Sequence, residues 1–462
     1  MRVSLVIYDN ESYVPFFPQG SAYIAATLRK NGIDVEIYNQ DYHHYPNEHL
    51  IEYLNKNKFD VIGLGIIAGY YQYRRLLQIS EAINKAKNRP YYILGGHGPS
   101  PEPEFFLKKT GADAVVIGEG EETIIELLNA IIYHRDLKQV KGIAFRDGNN
   151  VIITPRRSLI RDIDSLPLPA YDLFPMEYYR LVREPNCTRS DFLMPILSGR
   201  GCPFKCNFCY RMDKGFRPRS NEAIVEEIRF LKMNYGITYI IFSDELLMSS
   251  EKRAIDLSRS IIKANLGIKW WCNGRLNYAK PDVLKLMKKA GCIFINYGIE
   301  AMDDQILKNM NKALTVKQII RGIEATLNEG ISPGLNIIFG NIGENKDTLK
   351  KGVEFLLKYD DGAQLRTIRP VTPYPGSPLY YYAIKEGLLK DCEDFYENKH
   401  INSDLLSVNF TELNDDEFHR SLMEANMILL DNYYKKKYNL AISMTKNLYL
   451  NKNASFRGYR QL

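Results

Sequence analysis

Short apolar runs alternate with amphipathic segments over the first 130 residues of this 462-residue chain. Runs of this length fit buried strands, and the segments between them are long enough for helices. The pattern therefore indicates a parallel sheet with helices on both faces. The sequence predicts an α/β, Rossmann-like domain over residues 1–140. Its strands are expected at Val3–Tyr8, Val35–Tyr38, Val61–Ile67, Tyr91–Leu94 and Ala114–Ile117.

Glycines and a few polar residues cluster just after these predicted strands, at the edge where parallel sheets bind their ligands. Glycine lets a ligand approach the backbone closely, although any single loop of this kind also fits a tight turn. Several such loops on one edge favour a binding groove. No Gly-x-Gly-x-x-Gly motif follows the first strand, which argues against a dinucleotide. The candidate contacts are Pro18, Gly20, Gly65, Gly95, Gly96, His97, Gly118, Glu119 and Gly120.

A second strand–helix series follows a predicted hairpin at Val140–Thr154 and a proline-rich connection, which together form a linker over residues 141–190. Six β/α units predict a partial barrel over residues 191–380, with its chemistry on the loops after the strands. Residues 381–462 are expected to form a helical capping segment. The barrel strands are expected at Phe192–Leu197, Tyr239–Phe242, Lys269–Cys272, Ile293–Ile299, Gly334–Phe339 and Leu365–Pro370.

Three cysteines, Cys202, Cys206 and Cys209, follow the first strand of the second series with the spacing Cys-x3-Cys-x2-Cys. Soft thiolate ligands at short spacing select iron–sulfur clusters or zinc. In a cubane cluster, three cysteines leave one iron open to a substrate or cofactor. A structural zinc site completed by Cys187 or a histidine is the alternative. Such sites usually have a second, distant pair of ligands, and the sequence has none.

This motif, with Phe208 before the third cysteine, resembles the signature of radical S-adenosylmethionine (SAM) enzymes. The segment Arg200-Gly-Cys-Pro203 resembles the corresponding segment of the radical SAM subgroup that has an N-terminal cobalamin-binding domain. The resemblance implies a [4Fe-4S] cluster on the three cysteines, with SAM on the open iron. It also implies reductive cleavage of SAM to a 5′-deoxyadenosyl radical. Phe208 and Tyr210 are expected to contact the cofactors.

The ends of the later barrel strands carry polar side chains that resemble the SAM contacts of radical SAM barrels. The resemblance implies that Glu300 contacts the SAM ribose. Asp244, Glu245, Arg275 and the turn at Gly340 are expected as further SAM contacts. Capping of the following helix is the alternative role for the acidic residues.

The glycine-rich loops of the N-terminal domain are similar to the cobalamin-binding domain of the same subgroup. The resemblance implies that Gly95-Gly-His and Gly118-Glu-Gly-Glu line the nucleotide tail of the corrinoid. The chain lacks Asp-x-His-x-x-Gly, the motif whose histidine binds cobalt in other cobalamin domains. The lower face of cobalt is therefore expected to carry no histidine, with His97 as a tail contact or a surface group.

Composition indicates a soluble globular protein, with 45% hydrophobic and 25% charged residues and no apolar run long enough to span a membrane. The scattered cysteines outside the triplet suit the reducing cytoplasm. The net charge is only +6, and no nucleic-acid partner is expected. A basic C-terminal stretch offers contact with nucleic acid or anionic lipid, but we interpret it as a solvated helix face. It comprises Tyr434–Tyr438, Lys446, Lys452, Arg457 and Arg460.

The resemblance spans residues 1–380 and predicts a cobalamin-dependent radical SAM enzyme, with methyl transfer from methylcobalamin as the main hypothesis. A radical SAM cyclase or oxidative rearrangement enzyme, similar to the anaerobic magnesium-protoporphyrin cyclase, is the alternative within enzymes. A non-catalytic iron–sulfur or electron-transfer protein is the other alternative, but electron carriers normally saturate their cluster with four ligands. The expected partners are a small-molecule or peptide substrate and an electron donor such as flavodoxin or ferredoxin.

Overall fold

The computed structural model describes residues 1–11, 16–184, 186–212, 214–453 and 455, so Arg457 and Arg460 of the basic stretch lie outside the described residues. The chain forms a seven-stranded sheet, a six-stranded parallel sheet and a C-terminal helical segment. The predicted α/β architecture is confirmed. Within the described residues, no helix combines the length and the apolar content needed to cross a bilayer.

The N-terminal sheet consists of five parallel strands and an antiparallel hairpin. Its strands are β1 (Arg2–Ile7), β2 (Asp34–Asn39), β3 (Val61–Gly65), β4 (Tyr91–Gly95), β5 (Ala114–Val116), β6 (Ile143–Asp147) and β7 (Asn150–Ile153). They lie in the order β2-β1-β3-β4-β5-β6-β7. The connection direction reverses between β1 and β3, and open α/β sheets bind their ligands at such a switch point.

The hairpin that we predicted for the linker is part of this sheet. Val115 of β5 pairs antiparallel with Ala144 of β6. Ile143 and Phe145 are buried in the same apolar cluster as Val116, and a buried strand needs a hydrogen-bonded neighbour. The sheet therefore extends past residue 141, while the exact domain limits stay a prediction.

Helices cover both faces of the N-terminal sheet, and each face has its own apolar cluster. One face buries Leu54, Tyr73 and Phe106 from one set of helices. The other face buries Leu28 and Leu127. The helices are α1 (Gln19–Lys30), α2 (Gln40–His43), α3 (Asn47–Lys56), α4 (Tyr70–Lys85), α5 (Pro103–Thr110) and α6 (Glu121–Ile132), followed in the linker by α7 (Met176–Tyr179).

The second sheet is a half-barrel of parallel strands in sequential order. Its strands are β8 (Leu193–Ile196), β11 (Tyr239–Phe242), β12 (Lys269–Gly274), β13 (Cys292–Glu300), β14 (Ser332–Phe339) and β15 (Arg369–Pro370), with the short pair β9 (Gly199–Arg200) and β10 (Arg217–Pro218) outside it. The predicted sixth strand, Leu365–Pro370, is shorter than expected. The side chain of Asn426 binds both the N–H and the carbonyl of Ile368, which removes them from the strand ladder.

Five of the six described barrel helices begin at polar side chains that accept hydrogen bonds from the first free backbone N–H groups, and the helix that starts at Pro281 has no such cap. Ser220 and Ser250 cap two of them, and Thr315 with Gln318 forms a capping box. These helices are α8 (Asn221–Tyr235), α9 (Glu251–Ala264), α10 (Pro281–Lys289), α11 (Asp304–Asn309), α12 (Val316–Asn328) and α13 (Lys346–Tyr359).

The C-terminal segment is helical, as expected, and it packs against both sheets. Tyr396 stacks on Tyr73 of the N-terminal domain with 4.6 Å between ring centroids. Phe418 stacks on Phe339 at the end of β14 with a centroid distance of 4.9 Å. The segment therefore ties the two sheets together. Its elements are α14 (Pro378–Lys385), α15 (Cys392–Asp394), a π-helix at Phe395–Lys399 and α16 (Asp415–Leu450).

Candidate functional site

The cysteine triplet lies on a loop at the carboxyl edge of the barrel, directly after β8. Antiparallel pairing of β9 with β10 closes the base of this loop. Gly199 permits the pairing, because a Cβ there would lie 2.6 Å from a ring carbon of Phe216. The loop is therefore held at both ends, on the edge where the catalytic groups of β/α barrels collect.

The three thiols are free, and Cys206 is buried. A hydrogen bond from Cys209 lowers the pKa of the Cys206 thiol to about 6, while it raises the pKa of Cys209. Burial raises the pKa of Cys202. Among the described residues, no group of His, Cys, Asp or Glu side chains converges on a single ion. A cubane does not require this, because each thiolate binds a different iron, so three thiols on one loop fit a [4Fe-4S] cluster.

Cys187, the cysteine considered as a fourth zinc ligand, lies away from the triplet. It packs with Leu193 and Tyr239 at the beginnings of β8 and β11, whereas the triplet follows the end of β8. Its Sγ accepts a hydrogen bond from the backbone N–H of Glu184. The structure therefore does not bring Cys187 to the cysteine loop.

Asp244 and Glu245, predicted as SAM contacts, hold the start of the cysteine loop. Asp244 is buried and accepts hydrogen bonds from the N–H and the hydroxyl of Ser198, and its burial raises the pKa of the carboxyl to about 6. Glu245 accepts a hydrogen bond of 3.0 Å from the N–H of Gly201. Both carboxylates therefore position the loop, and their contact with SAM stays a prediction.

Arg275, another predicted SAM contact, packs against the cysteine loop. Its guanidinium carbon lies 3.4 Å from the ring centroid of Phe204. Its Nη2 donates to the carbonyls of Lys312 and Ala313. Burial lowers the pKa of the guanidinium, and the cysteines beside it act in the opposite direction. Arg275 thus connects β12, the cysteine loop and the segment after α11.

Glu300 forms a buried ion pair with Lys312, at 2.7 Å between Oε1 and Nζ. Its φ of +70° is unusual for a residue with a side chain, and it lies at an irregularity of the β13–β14 pairing. Gly298 leaves room for the pair, because a Cβ there would lie 2.2 Å from Oε1 of Glu300. Asp303, and not Glu300, caps α11, so the capping alternative for Glu300 is wrong.

Two asparagines, which were not among the predicted site residues, fix the middle of the cysteine loop. Asn207 and Asn341 exchange two side-chain hydrogen bonds of 3.0 Å each. Asn207 also donates its N–H to the carbonyl of Met310 and accepts from the N–H of Leu379. Asn341 follows Gly340, whose hydrogen in place of a side chain lets Phe418 approach. The position of an asparagine inside the cysteine motif was the one signal that pointed to this role.

Four charged residues tie the cysteine loop to the N-terminal domain. Arg200 binds Glu119 at 2.7 Å and Glu121 at 2.6 Å, and Arg217 binds Glu119 at 2.9 Å. Burial alone would raise the pKa of the Glu119 carboxyl, but the hydrogen bonds from Arg217 and Arg200 outweigh it and hold the pKa below its usual value. Glu119, predicted as a corrinoid contact, is therefore engaged in the contact between the two domains.

Two predicted cofactor contacts meet at this interface. The rings of His97 and Tyr210 lie edge to face with 6.0 Å between centroids. The surrounding protein lowers the pKa of His97, although the side chain itself is still exposed to solvent. Gly376 lacks a side chain where Tyr210 and Pro101 approach, since a Cβ would lie 2.4 Å from the tyrosine ring. The carboxyl edges of the two sheets thus face each other across Tyr210.

The glycines at the edge of the N-terminal sheet divide into two kinds. A Cβ at Gly20 or Gly118 would meet no atom within 4 Å, and at Gly65 and Gly95 the nearest atoms lie at 3.8 and 4.0 Å. Gly96 differs, because a Cβ there would lie 2.5 Å from the carbonyl oxygen of Ile66. Gly20 and Gly118 thus leave open space beside the backbone, and Gly65 and Gly95 meet only ordinary van der Waals neighbours, which fits a corrinoid. Gly96 is required by close packing, and the φ of +85° at Gly118 also favours glycine.

The two remaining predicted contacts on this edge belong to helix starts. Pro18 immediately precedes α1, and Gly120 immediately precedes α6. A Cβ at Gly120 would lie 3.0 Å from Cδ1 of Ile24, so the close packing of α6 on α1 explains this glycine.

The inner face of the barrel carries a ladder of asparagines on three neighbouring strands. Asn296 donates to Asn273 at 3.0 Å, and Asn336 donates to Asn296 at 2.7 Å. Beside the ladder lies a cavity of about 250 Å³, lined mainly by apolar residues such as Trp271. Gln19, which follows β1, reaches this cavity and accepts a hydrogen bond from Ser243. The cavity therefore opens between the barrel and the N-terminal domain.

Comparisons with known families agree with this two-part site. The model of the B12 binding domain matches residues 6–128, and the model of the radical SAM superfamily matches residues 196–356. An uncharacterized methyltransferase of Pyrococcus horikoshii is 32% identical over 401 residues, which cover 84% of each chain. An anaerobic magnesium-protoporphyrin IX monomethyl ester cyclase of Rubrivivax gelatinosus is 29% identical over 79% of this chain and 65% of its own length.

Solved structures share the fold. The radical SAM methyltransferase TsrM of Kitasatospora setae, solved with cobalamin and a [4Fe-4S] cluster, matches with a TM-score of 0.73 at 18% identity, over 92% of this chain and 88% of its own. OxsB, solved with aqua-cobalamin and SAM, matches with a TM-score of 0.72 at 17% identity, over 98% of this chain and 75% of its own. The chain belongs to the radical SAM superfamily and, within it, to the proteins that carry a B12-binding domain.

Proposed function

We propose that this protein is a cobalamin-dependent radical SAM methyltransferase. The main observation behind the proposal is that the carboxyl ends of the strands of both sheets meet at one interface. The barrel contributes the cysteine loop to this interface, and the N-terminal sheet contributes its glycine-rich loops. Arg200 and Glu119 fix this meeting by a buried ion pair. The methyltransferase relative of Pyrococcus horikoshii, which aligns over both parts of the site, supports the same activity.

Three thiols and four glycines are the residues that would hold the cofactors. When bound, a [4Fe-4S] cluster supplies the electron that cleaves SAM, and cobalamin supplies a transferable methyl group. Cys202, Cys206 and Cys209 would hold the cluster on their loop. Gly20, Gly65, Gly95 and Gly118 would lie beside the corrinoid, where a side chain would otherwise occupy the space next to the backbone.

The contribution of this chain to the reaction is placement. Asp244, Glu245 and Arg275 hold the cysteine loop rigid, and the asparagine ladder offers amide groups inside the barrel. The adjacent cavity has a mainly apolar lining and would receive the reacting part of the substrate. Holding reactants at close range in such a cavity supplies much of the rate enhancement in reactions of this kind.

Methyl-labelled SAM tests the proposal. The anaerobically reconstituted protein is incubated with a low-potential reductant, candidate small molecules and SAM labelled in its methyl group, and the products are analysed by mass spectrometry. Label retained in the product supports methyl transfer. A cyclised or oxidised product without label supports the cyclase alternative, which the Rubrivivax gelatinosus relative motivates. Absence of 5′-deoxyadenosine from the wild-type protein, with its cluster intact, contradicts radical SAM chemistry altogether.

The reductant and the compartment follow from the same chemistry. Reductive cleavage of SAM needs one low-potential electron at a time, so we propose that a donor of the flavodoxin or ferredoxin type reduces the cluster. The proposed substrate is a small molecule or a peptide. All seven cysteines are free, which suits a reducing compartment, and we propose the cytoplasm. Replacement of a chemical reductant by a reduced flavodoxin in the assay of 5′-deoxyadenosine formation tests the choice of donor.

A further inference from the structure

The C-terminal half of α16 extends beyond the body of the protein. The buried residues of this helix, Phe418, Leu422, Ala425 and Leu429, all lie in its first half. Near the middle, Lys436 binds Asp360 at the end of α13, which is the end of the barrel opposite to the cysteine loop. From there the helix continues to Leu450, over a length of about 20 Å at 1.5 Å per residue.

The extending half carries an exposed apolar stripe, which consists of Tyr434, Tyr438, Ile442 and Tyr449. Their exposed fractions are 61%, 65%, 38% and 73%. At 3.6 residues per turn the four side chains lie within about 80° of one another around the helix axis, so they form one face. Among the described residues, none of the buried core clusters includes a member of this stripe.

Lysines border the apolar stripe on both sides. On the helical projection Lys437 lies on one side, and Lys435 and Lys446 lie on the other. Lys435 has an exposed partner, Asp431, one turn earlier, and such surface pairs contribute little. From residue 432 to residue 462 the sequence contains five lysines, two arginines and no acidic residue. The charge of this segment is therefore positive throughout.

We propose that the apolar stripe and its flanking lysines dock this end of the barrel on an anionic lipid surface. Helices that lie in the membrane interface combine an apolar face with lysine on the polar face and its margins, where the long side chains reach the headgroups. Tyrosine favours the same depth, because its ring is apolar and its hydroxyl is polar. The docked helix leaves the cysteine loop, at the opposite end of the barrel, accessible.

A second copy of this chain and a nucleic acid fit this face less well than an anionic lipid surface. Pairing of the helix with its counterpart in a second copy would bring lysine-rich segments without acidic residues together, which is repulsive. A nucleic acid would account for the lysines, but the three exposed tyrosines and Ile442 form an apolar face that a phosphate backbone does not need. An anionic lipid surface matches both the apolar face and the charge.

Cosedimentation with vesicles tests the inference. Full-length protein with its cluster reconstituted is mixed with vesicles of phosphatidylcholine alone or with about 30% phosphatidylglycerol, the lipid that supplies the negative surface charge. The wild type is expected to bind the anionic vesicles at least about a hundredfold more tightly than the vesicles of phosphatidylcholine alone. Lys435→Gln, Lys437→Gln and Lys446→Gln together should weaken this binding about a hundredfold, at about fivefold per lysine. Tyr438→Glu with Ile442→Glu should abolish it.

Matched variants elsewhere on the surface provide the controls. Lys285→Gln, Lys289→Gln and Lys317→Gln remove the same charge from exposed positions of α10 and α12, and Tyr133→Glu with Met233→Glu replaces two other exposed apolar residues. Both controls should bind vesicles like the wild type. All variants should keep their helix content by circular dichroism and their yield of 5′-deoxyadenosine.

Three results would overturn the inference. The first is equal loss of vesicle binding in the control variants and in the α16 variants. The second is binding of RNA without binding of anionic vesicles. The third is a concentration-dependent dimer that Tyr438→Glu dissociates while no vesicle binding is found. Each of these results would show that the face has another role or no binding role.

Discussion

The carboxyl edges of the two sheets differ in what they leave free. At the N-terminal sheet, Gly20 and Gly118 have empty space beside the backbone. At the barrel, Asp244, Arg275 and Glu300 already bind other residues of the chain. The edge of the N-terminal sheet has glycines and therefore space beside the backbone. The edge of the barrel has polar side chains that hold the cysteine loop in place. A corrinoid needs room along a sheet edge, whereas a cluster needs three thiols held in place.

Removal of one thiol should give the largest effect and should separate the two edges. Cys206→Ala is expected to abolish cluster binding and all 5′-deoxyadenosine formation, because a cubane held by two cysteines loses a required ligand. Binding of cobalamin should persist, since Cys206 lies on the barrel edge alone. Iron analysis and cobalamin titration on the same sample measure both. Cys187→Ala is the control, and loss of cluster binding in that variant would contradict the three-cysteine site.

Removal of Glu119 should break the contact between the two edges. Glu119→Ala removes the carboxylate that Arg200 and Arg217 share, while Arg200 keeps Glu121, and loss of one member of a buried pair costs up to about 3–5 kcal/mol. Denaturant unfolding should report this loss, and the exposed Glu122→Ala, in the first turn of the following helix α6, is the control. Equal stability of Glu119→Ala and wild type would show that the ion network does not hold the domains.

The same carboxyl sets a pH dependence. The folded state holds the pKa of Glu119 below its usual value of 4.5. The stabilisation is therefore complete above pH 4.5 and is lost as the pH falls through the lower pKa of the folded state. The difference in stability between wild type and Glu119→Ala should shrink in acid. A difference that stays constant down to pH 3 would contradict this assignment.

Glu300 tests whether the barrel edge also serves SAM. Glu300→Gln should weaken SAM binding about ten- to a hundredfold, because hydrogen bonds to charged groups contribute about 1.5–3 kcal/mol. The variant should also lose stability, since Lys312 is left buried without its partner. Glu300→Gln combined with Lys312→Met should recover the stability but not the SAM affinity. Unchanged SAM affinity in Glu300→Gln would make the pair purely structural.

Substitution of glycines in the N-terminal domain should give the smallest change in stability, with opposite signs at Gly20 and Gly96. Gly20→Ala should stabilise the fold by up to about 1 kcal/mol, because alanine favours the helix and meets open space, while it weakens corrinoid binding. Gly96→Ala should instead destabilise the fold, since its Cβ would meet the carbonyl of Ile66. Thermal unfolding and cobalamin titration distinguish the two variants. Unchanged corrinoid binding in Gly20→Ala would remove that position from the groove.

The sequence predicted the parts of the site that depend on local pattern. Apolar periodicity located the strands of both sheets to within a few residues, with the sixth barrel strand as the main exception. Asn426 lies 58 positions after Ile368, and no local pattern connects the two. The cysteine loop and the glycine edge were equally visible, because each depends on residue types at short spacing.

The partners of the polar side chains were not predictable from the sequence. Glu300 binds Lys312, Glu119 binds Arg200, and Asn207 binds Asn341, over separations of 12, 81 and 134 positions. Such pairs become visible only when the strands are placed side by side. Polar residues at strand ends were therefore assigned to an external ligand alone, and the partners that they also have within the chain were missed.

The content of iron and corrinoid per chain tests the central claim, that both edges hold a cofactor in one molecule. Protein purified and reconstituted without oxygen is analysed for metals and for bound corrinoid after gel filtration. We predict about four irons and about one corrinoid per chain. A colourless protein that contains zinc in place of iron, or a brown protein that retains no corrinoid, would contradict it.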